Sequence, residues 1–392
     1  MLIPPSKLDR FLPYGKQDIT DADVAAVTEV LHSDFLTQGP AVPAFEKAQA
    51  QLAGARHGVA MNSATSALHA ACLALGLGPG QTLWTSPITF VASANCALYC
   101  GAQVDFVDID PATLNLCPLA LEVKLRRAEA NGTLPAIVVP VHFGGQSCDM
   151  AAIGRLAKRY RFKVIEDASH AVGARHEGTP VGACTHSDIT VFSYHPVKII
   201  TTGEGGMALT NDDALASRLQ LLRSHGITRD EAQMDDASEG PWYYQQVGLG
   251  FNYRMTDLQA ALGISQLTRL QAYVTRRNAL ATRYQELLAG LLLRTQALLP
   301  STLSAYHLFT VQLTDPARRR GVFEALRAAG IGVNVHYIPV HLQPHYRRMG
   351  FAVGQFPHAE AYYAGAMSLP MFPGMDNGDV ARVTSLLRSL LS

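Results

Sequence analysis

The sequence predicts an α/β fold: a large mixed, mostly parallel sheet flanked by helices, followed by a smaller C-terminal α+β domain. Three observations carry this. From about residue 55 to 210, apolar β-rich segments alternate with helical patterns, as expected of parallel strands joined by crossover helices. A long helical pattern begins near Thr256. The segments after it read strand, helix, strand. A chain of 392 residues is long enough for two domains, and the patterns divide it into 1–255 and 256–392.

The elements follow in order. "HGVAM" reads as a strand and "SALHAACLALGLG" as a helix ending in glycine. "TLWTSPITF" is a strand, "VASANCALYCGA" a helix, and "QVDFVDID" a strand. "AIVVPVHF", "CDMAAIGRLAKRY" and "FKVIEDAS" continue as strand, helix, strand. Ile189, Val191 and Phe192, and then Met207, Ala208 and Leu209, mark two more short buried strands. The polar stretch 228–244 interrupts the pattern as a loop or flap. In "MTDLQAALGISQLTRLQAYVTRRNALATRYQELLAGL", Thr256 is the expected N-cap and Asp257 lies in the first turn. "HLFTVQL", "RRGVFEALRAAG" and "IGVNVHY" complete the smaller domain as strand, helix and strand.

Composition excludes several classes. Hydrophobic residues make up 48% and charged residues 16%, with 32 basic and 32 acidic side chains. Without a basic tract, nucleic acid is not an expected partner. Six cysteines without a C-x-x-C pair fit buried, reduced thiols rather than a disulfide framework or zinc knuckle. The opening "MLIPPSKLDRFLPYG" has no apolar core of a signal peptide, and no apolar run approaches the ~20 residues of a membrane span. No membrane association and a cytoplasmic location are expected.

The strand ends carry the chemistry, because ligands of such sheets sit there. "HGVAM" runs into "NSATSALHAA", a turn of small residues opening a helix, where free N–H groups and the helix dipole attract an anion. Alone, this turn reads as an ordinary cap. "FKVIEDASHA" ends a strand with a carboxylate, Asp167, and Phe90 stands at another strand–helix junction. Lys198 stands by itself between the buried strands of "FSYHPVKIITTGEGGMALTN". Most lone lysines are solvated, but a buried one is ion-paired or neutral and reactive. There is no G-x-x-x-x-G-K-[ST] and no strand-following G-x-G-x-x-G. An anion nest, a carboxylate, an aromatic face and a neutralisable lysine together match one cofactor, pyridoxal 5′-phosphate (PLP), whose phosphate, ring nitrogen, ring and aldehyde need those four groups.

The motifs "LTQGP", "NSATSAL", "PITFVASAN", "VIEDASHA", "FSYHPVKIITTGEGG", "GFNYRMTDLQAALG" and "VHYIPVHLQPHY" resemble those of the DegT/StrS family of PLP-dependent sugar aminotransferases, over essentially the whole chain. The resemblance implies an aspartate aminotransferase-like, type I PLP fold. It implies Lys198 as the Schiff-base lysine, Asp167 as partner of the pyridine nitrogen, and His170 beside the cofactor's 3′-oxygen. Phe90 takes the ring-stacking position. Ala64, Thr65 and Ser193 match phosphate contacts, and Asn252 matches a residue reaching the phosphate from the neighbouring subunit of a homodimer. Tyr14, Leu36, Thr37, His336 and Tyr337 fall where the family lines its nucleotide-sugar pocket. "HFGGQS" departs from the family's "HFAGQ".

Within the family, the chain resembles the subgroup acting in pseudaminic acid biosynthesis. That implies ping-pong transfer of an amino group from L-glutamate to carbon-4 of a UDP-linked 4-keto-6-deoxy-N-acetyl sugar. Another dTDP- or UDP-linked keto sugar is the alternative substrate. A sugar dehydratase is disfavoured because Lys198 is retained where such relatives carry another residue, usually His. A non-catalytic regulator is disfavoured by the intact set. His336, His341 and His345 have spacings that can converge on a metal, but Pro339 and Pro344 break the run, so no metal is expected. Trp84 and Trp242 are candidates for stacking on uracil and equally for the core or flap.

Overall fold

The computed structural model describes residues 10–392. After helices α1 (Asp21–Leu31) and α2 (Ala41–Ala53), the chain alternates β1 (His57–Met61), α3 (Ala64–Ala74), β2 (Thr82–Thr85), α4 (Ala92–Tyr99) and β3 (Gln103–Phe106). Then come α5 (Pro118–Asn131), β4 (Ile137–Val139), α6 (Met150–Tyr160) and β5 (Lys163–Asp167). A small hairpin, β6 (Arg175–His176) and β7 (Thr179–Pro180), precedes β8 (Ile189–Ser193) and β9 (Gly206–Thr210). The main sheet has the order β1-β9-β8-β5-β4-β2-β3, and only β9 runs against the others.

Alternation along each strand sorts side chains between two faces. Val59, Ile165, Val191 and Ala208 pack with α3 and α4. Ala60, Phe192, Met207 and Leu209 pack with α2. Val138 and Val164 lie with Trp84 under α5 and α6. Both faces are covered, which is why the strands read as continuous apolar runs rather than alternating ones.

The chain continues through α7 (Asp213–Arg223), a hairpin of β10 (Ile227–Thr228) and β11 (Gln245–Gln246), α8 (Asp257–Leu267) and α9 (Leu270–Leu288). It then forms β12 (Leu293–Thr295), β13 (Thr302–Leu303), β14 (Phe309–Leu313), α10 (Arg319–Ala328), α11 (Pro344–Arg347), α12 (Pro357–Gly365), β15 (Ala366–Leu369) and α13 (Asn377–Leu391). A second, three-stranded sheet has the order β12-β14-β15. Leu280, Tyr284, Phe309, Leu326 and Leu387 form its core, which also takes in Leu12 from the other end of the chain. No helix of the described residues is long and apolar enough to cross a membrane.

Three expectations need correction. The long helix is two helices: Asp23 accepts both bonds from the Arg269 guanidinium, at 2.8 and 2.6 Å, and one from Gln266 Nε2, fixing the break between α8 and α9 against α1. "TLWTSPITF" leaves the sheet after Thr85. "IGVNVHY" is no strand but makes isolated bridges from Ile331 to Leu12 and from Asn334 to Ser368, so its remaining backbone is free to turn towards the ends of the main sheet.

Asp257 ties the N-terminal segment down. Its carboxylate accepts the N–H groups of Gly39 and Ala41 at 2.8 Å and that of Val42 at 3.3 Å, so a residue of α8 caps α2, whose own N-cap, Pro40, offers no side-chain acceptor. Replacement, Asp257→Ala, leaves three donors unpaired at a partly buried helix start and should lower stability by about 2 kcal/mol. An unchanged urea midpoint for the apoprotein variant would refute this role.

Candidate active site

The carboxyl ends of β1, β5 and β8 open on a cavity of about 600 Å³. At the end of β1 the chain turns directly into α3. Ser63 caps this helix by accepting the Ser66 N–H, and Ser66 Oγ donates to Asn62 Oδ1 at 2.6 Å. Among the described residues no acceptor takes the N–H groups of Ala64 and Thr65, which begin α3 at the cavity. Opposite them runs the start of β9. A Cβ on Gly206 would lie 2.4 Å from the Ala64 nitrogen, so only glycine lets β9 pass this close. Two free amides at a helix N-terminus, with Ser193 Oγ across the cavity, form a cradle for a dianion.

Lys198 sits in the loop between β8 and β9, with its backbone N–H bonded to the His195 carbonyl at 2.9 Å. Burial depresses its amine to about 8, against a smaller opposing pull from the Asp167 charge. Asp167, at the end of β5, accepts from Ser93 Oγ at 2.6 Å and from the Ser169 N–H at 3.1 Å. His170 Nδ1 accepts the Gly144 N–H at 3.3 Å, so its Nε2–H points to Tyr337 Oη, 3.1 Å away. Burial, followed by the charge of Lys198, holds His170 and His307 far below the usual imidazole range, and His336 at about 3. Burial raises the Tyr337 phenol, with Asp167 adding to the effect. Near neutral pH these three imidazoles are uncharged, while Lys198, Asp167 and Glu204 also line the cavity.

Ten of the thirteen sequence-predicted residues line this cavity: Tyr14, Ala64, Thr65, Phe90, Asp167, His170, Ser193, Lys198, His336 and Tyr337. Phe90 is 58% exposed, so its ring face is available to a flat ligand. Leu36, Thr37 and Asn252 are exposed and lie outside the lining. Leu36 and Thr37 are instead pinned to the start of α8, through Asp257 N–H to the Leu36 carbonyl and a Thr37–Thr256 bridge. Asn252 pairs with Ser224.

Sequence reasoning missed Thr89, Ser93 and His307. The first two are hydroxyls at i, i+4 on either side of Phe90, a spacing visible in "TFVAS". His307, flanked by apolar residues, gave no signal. Its ring centroid lies 4.5 Å from that of His170, and its buried Nδ1 has no partner among the described residues. His336 bonds Ser368, whereas His341 bonds Glu360, so these histidines serve separate partners. Trp84 is buried beneath Lys124, and Trp242 is 71% exposed. At the "HFGGQS" departure, Gly144 has φ of 69°, and a Cβ there would meet Gln296 Oε1 at 2.6 Å, so this chain needs the glycine.

The groups present fit PLP: a cradle of free amides for the phosphate, a buried carboxylate for the ring nitrogen, an open aromatic face and a desolvated amine. The profile of the DegT/DnrJ/EryC1/StrS aminotransferase family matches residues 17–388. The spore coat polysaccharide biosynthesis protein SpsC of Bacillus subtilis (strain 168) is 40% identical, with 98% of each chain covered. Among solved structures, Helicobacter pylori PseC, an aminotransferase involved in the biosynthesis of pseudoaminic acid, superposes with a TM-score of 0.89 at 28% identity, covering 97% of this chain and 99% of its own. The PLP-form of the putative sugar aminotransferase Spr1654 from Streptococcus pneumoniae gives 0.87 at 26% identity, covering 97% and 100%. The chain belongs to the DegT/DnrJ/EryC1/StrS aminotransferase family and is a PLP-dependent sugar aminotransferase.

Proposed function

We propose that the enzyme moves an amino group from L-glutamate to carbon-4 of a UDP-linked 4-keto-6-deoxy-N-acetyl-hexose, in the cytoplasm. The observation that carries this reading is the single cavity joining Lys198, Asp167, the α3 N-terminus and Phe90. The likeness to PseC supports the sugar class. A different nucleotide-linked 4-keto sugar is the second reading, favoured by the higher identity to SpsC, 40% against 28%.

When bound, PLP supplies the carbonyl that exchanges amines and the ring that accepts electrons from the substrate's α-carbon. The Ala64 and Thr65 amides and Ser193 hold its phosphate, Phe90 covers its ring, and the Asp167 carboxylate faces its ring nitrogen. Lys198 anchors it covalently. With PLP bound, the free Lys198 amine would accept the proton from the amino acid's α-carbon and deliver that same proton to the carbon of the PLP carbonyl group. Its depressed basicity suits that task, because a proton acceptor and donor works best with a pKa near the working pH. His170 contacts the 3′-oxygen while Tyr14, His336 and Tyr337 face the sugar. Glutamate and keto sugar use this cavity in turn, so ping-pong kinetics follow.

Leu36, Thr37 and Asn252, exposed and away from their own cavity, enter the site of a second copy in a homodimer with shared active sites. Apolar surface supports this: Phe35, Trp242 and Leu249 are 52%, 71% and 80% exposed.

Borohydride reduction of the loaded enzyme and peptide mapping should place the pyridoxyl mass on Lys198, and incubation with glutamate and candidate UDP- or dTDP-4-keto sugars should yield the 4-amino product of the UDP sugar. Labelling of another lysine, or turnover of the dTDP sugar alone, would replace the corresponding assignment. Because the neutral amine is the nucleophile, covalent capture of PLP by apoenzyme should accelerate as pH rises, with half-maximum near 8. A midpoint close to ~10.4, the value of a solvated lysine, would show that burial does not tune this group. Mixing Lys198→Ala with Asn252→Asp chains, each inactive, should restore activity, since about half of randomly paired dimers contain one intact site and roughly a quarter of sites recover. Demonstrated subunit exchange without recovery would rule out sharing.

A further inference from the structure

Asp167 is held by more than its own loop. Ser93, wholly buried in the first turn of α4, donates to Oδ2 at 2.6 Å. Thr89, equally buried, lies with Oγ1 2.7 Å from Ser93 Oγ. An ionised carboxylate only accepts hydrogen bonds, so the Ser93 hydrogen points to Asp167, and Thr89 must then supply the hydrogen that Ser93 accepts. The alternative acceptor for Ser93, the Phe90 carbonyl, is at 3.4 Å, much the longer contact. The two hydroxyls therefore form a directed relay ending on the carboxylate, and in a dry setting such bonds polarise one another. Without Ser93, the only hydrogen bond on the Asp167 carboxylate among the described residues is the one from the Ser169 N–H to the other oxygen.

We propose that Thr89 and Ser93 are positioning residues that fix the Asp167 carboxylate against the ring nitrogen of PLP. This rests on the reading that Asp167 faces that nitrogen. Phe90, which lies between Thr89 and Ser93 just ahead of α4, faces the cavity, so ring face and carboxylate are set by one piece of backbone. The relay occupies one lone-pair site on Oδ2 and the Ser169 amide one on Oδ1, which leaves the carboxylate further sites with which to accept the ring N–H.

Apoenzyme carrying Ser93→Ala, Ser93→Thr, Thr89→Val or Asp167→Asn, each checked by thermal melting, would be titrated with PLP by fluorescence quenching. The visible absorbance of the loaded forms would then be followed against pH. Ser93→Ala should weaken PLP binding roughly tenfold, the usual effect of losing one hydrogen bond to a charged group. It should also move the absorbance change to higher pH, because a less firmly protonated ring withdraws less electron density. Ser93→Thr, which keeps the hydroxyl, should stay within about twofold of wild type. Thr89→Val should move both readouts in the same direction by about threefold, and it provides the reading if Ser93→Ala does not fold. Wild-type binding and titration in Ser93→Ala or, failing its folding, in Thr89→Val, alongside an impaired Asp167→Asn, would overturn the relay while leaving the Asp167 reading intact. An unimpaired Asp167→Asn would overturn both. Equal impairment in Ser93→Thr and Ser93→Ala would show that packing, not the hydroxyl, is what matters.

Discussion

The site depends on loosening an amine's hold on its proton. Lys198 lies where water is scarce, and burial, against a smaller pull from Asp167, brings it to about 8. A cation beside it would push it further, and a carboxylate pulls it back, as Asp167 does in part. The cavity is lined by the carboxylates of Asp167 and Glu204, and burial and the nearby lysine keep three of its imidazoles, those of His170, His307 and His336, neutral. The sign is consistent throughout: burial disfavours every charged form, and the positive field of Lys198 disfavours protonating any histidine. His170 illustrates the consequence, since accepting from Gly144 and donating to Tyr337 requires one nitrogen of each kind, which only the neutral ring has.

The scaffold delivers these groups through strand order. β5 and β8 are parallel neighbours, so Asp167 and Ser193 emerge at one edge of the sheet. Parallel pairing demands long crossovers, and the helices in those crossovers begin at that same edge, which is how α3 and α4 come to present their first turns to the cavity. β9 is the exception. Running antiparallel between β1 and β8, it needs only the loop 194–205 to return, and that loop carries Lys198. The return is tight enough that Gly206 touches the start of α3. The phosphate cradle and the lysine loop therefore share one close contact.

What the sequence disclosed follows from this geometry. Buried parallel strands are apolar runs, and the polar residues that end them, Asp167 and Ser193, stand out against them. Lys198 was conspicuous for the same reason. The assignments that failed had no such contrast. "IGVNVHY" has the composition of a strand, but its neighbours in the second sheet, β14 and β15, pair with each other, and 331–337 is left with isolated bridges. The break between α8 and α9 depends on Asp23, more than two hundred residues away in sequence, which no local pattern encodes. Ser93 and His307 read as ordinary helix and strand residues because their partners, Asp167 and the His170 ring, are distant in the chain.

A division of labour within the cavity explains why the sugar is the least legible feature. The lysine, carboxylate, cradle and aromatic face come from the main sheet and its crossovers. Tyr14, His307, His336 and Tyr337 come from the N-terminal segment and the C-terminal half. These are tied to each other as well as to the loops after β2 and β4: Gly332 N–H bonds the Leu12 carbonyl at 2.6 Å, Met371 N–H bonds the Tyr14 carbonyl at 2.9 Å, the Tyr14 and His336 rings lie 5.5 Å apart, and Leu308 and Val340 N–H bond the Gly144 and Pro87 carbonyls at 3.2 and 2.8 Å. Among the described residues of the cavity lining, His170 and Tyr337 join the two walls by a side-chain hydrogen bond. Irregular segments held by a few backbone bonds tolerate substitution far better than strand ends packed on both faces. This wall of the cavity is thus free to vary while the strand ends stay fixed, and a pattern shared across the family records the second and not the first.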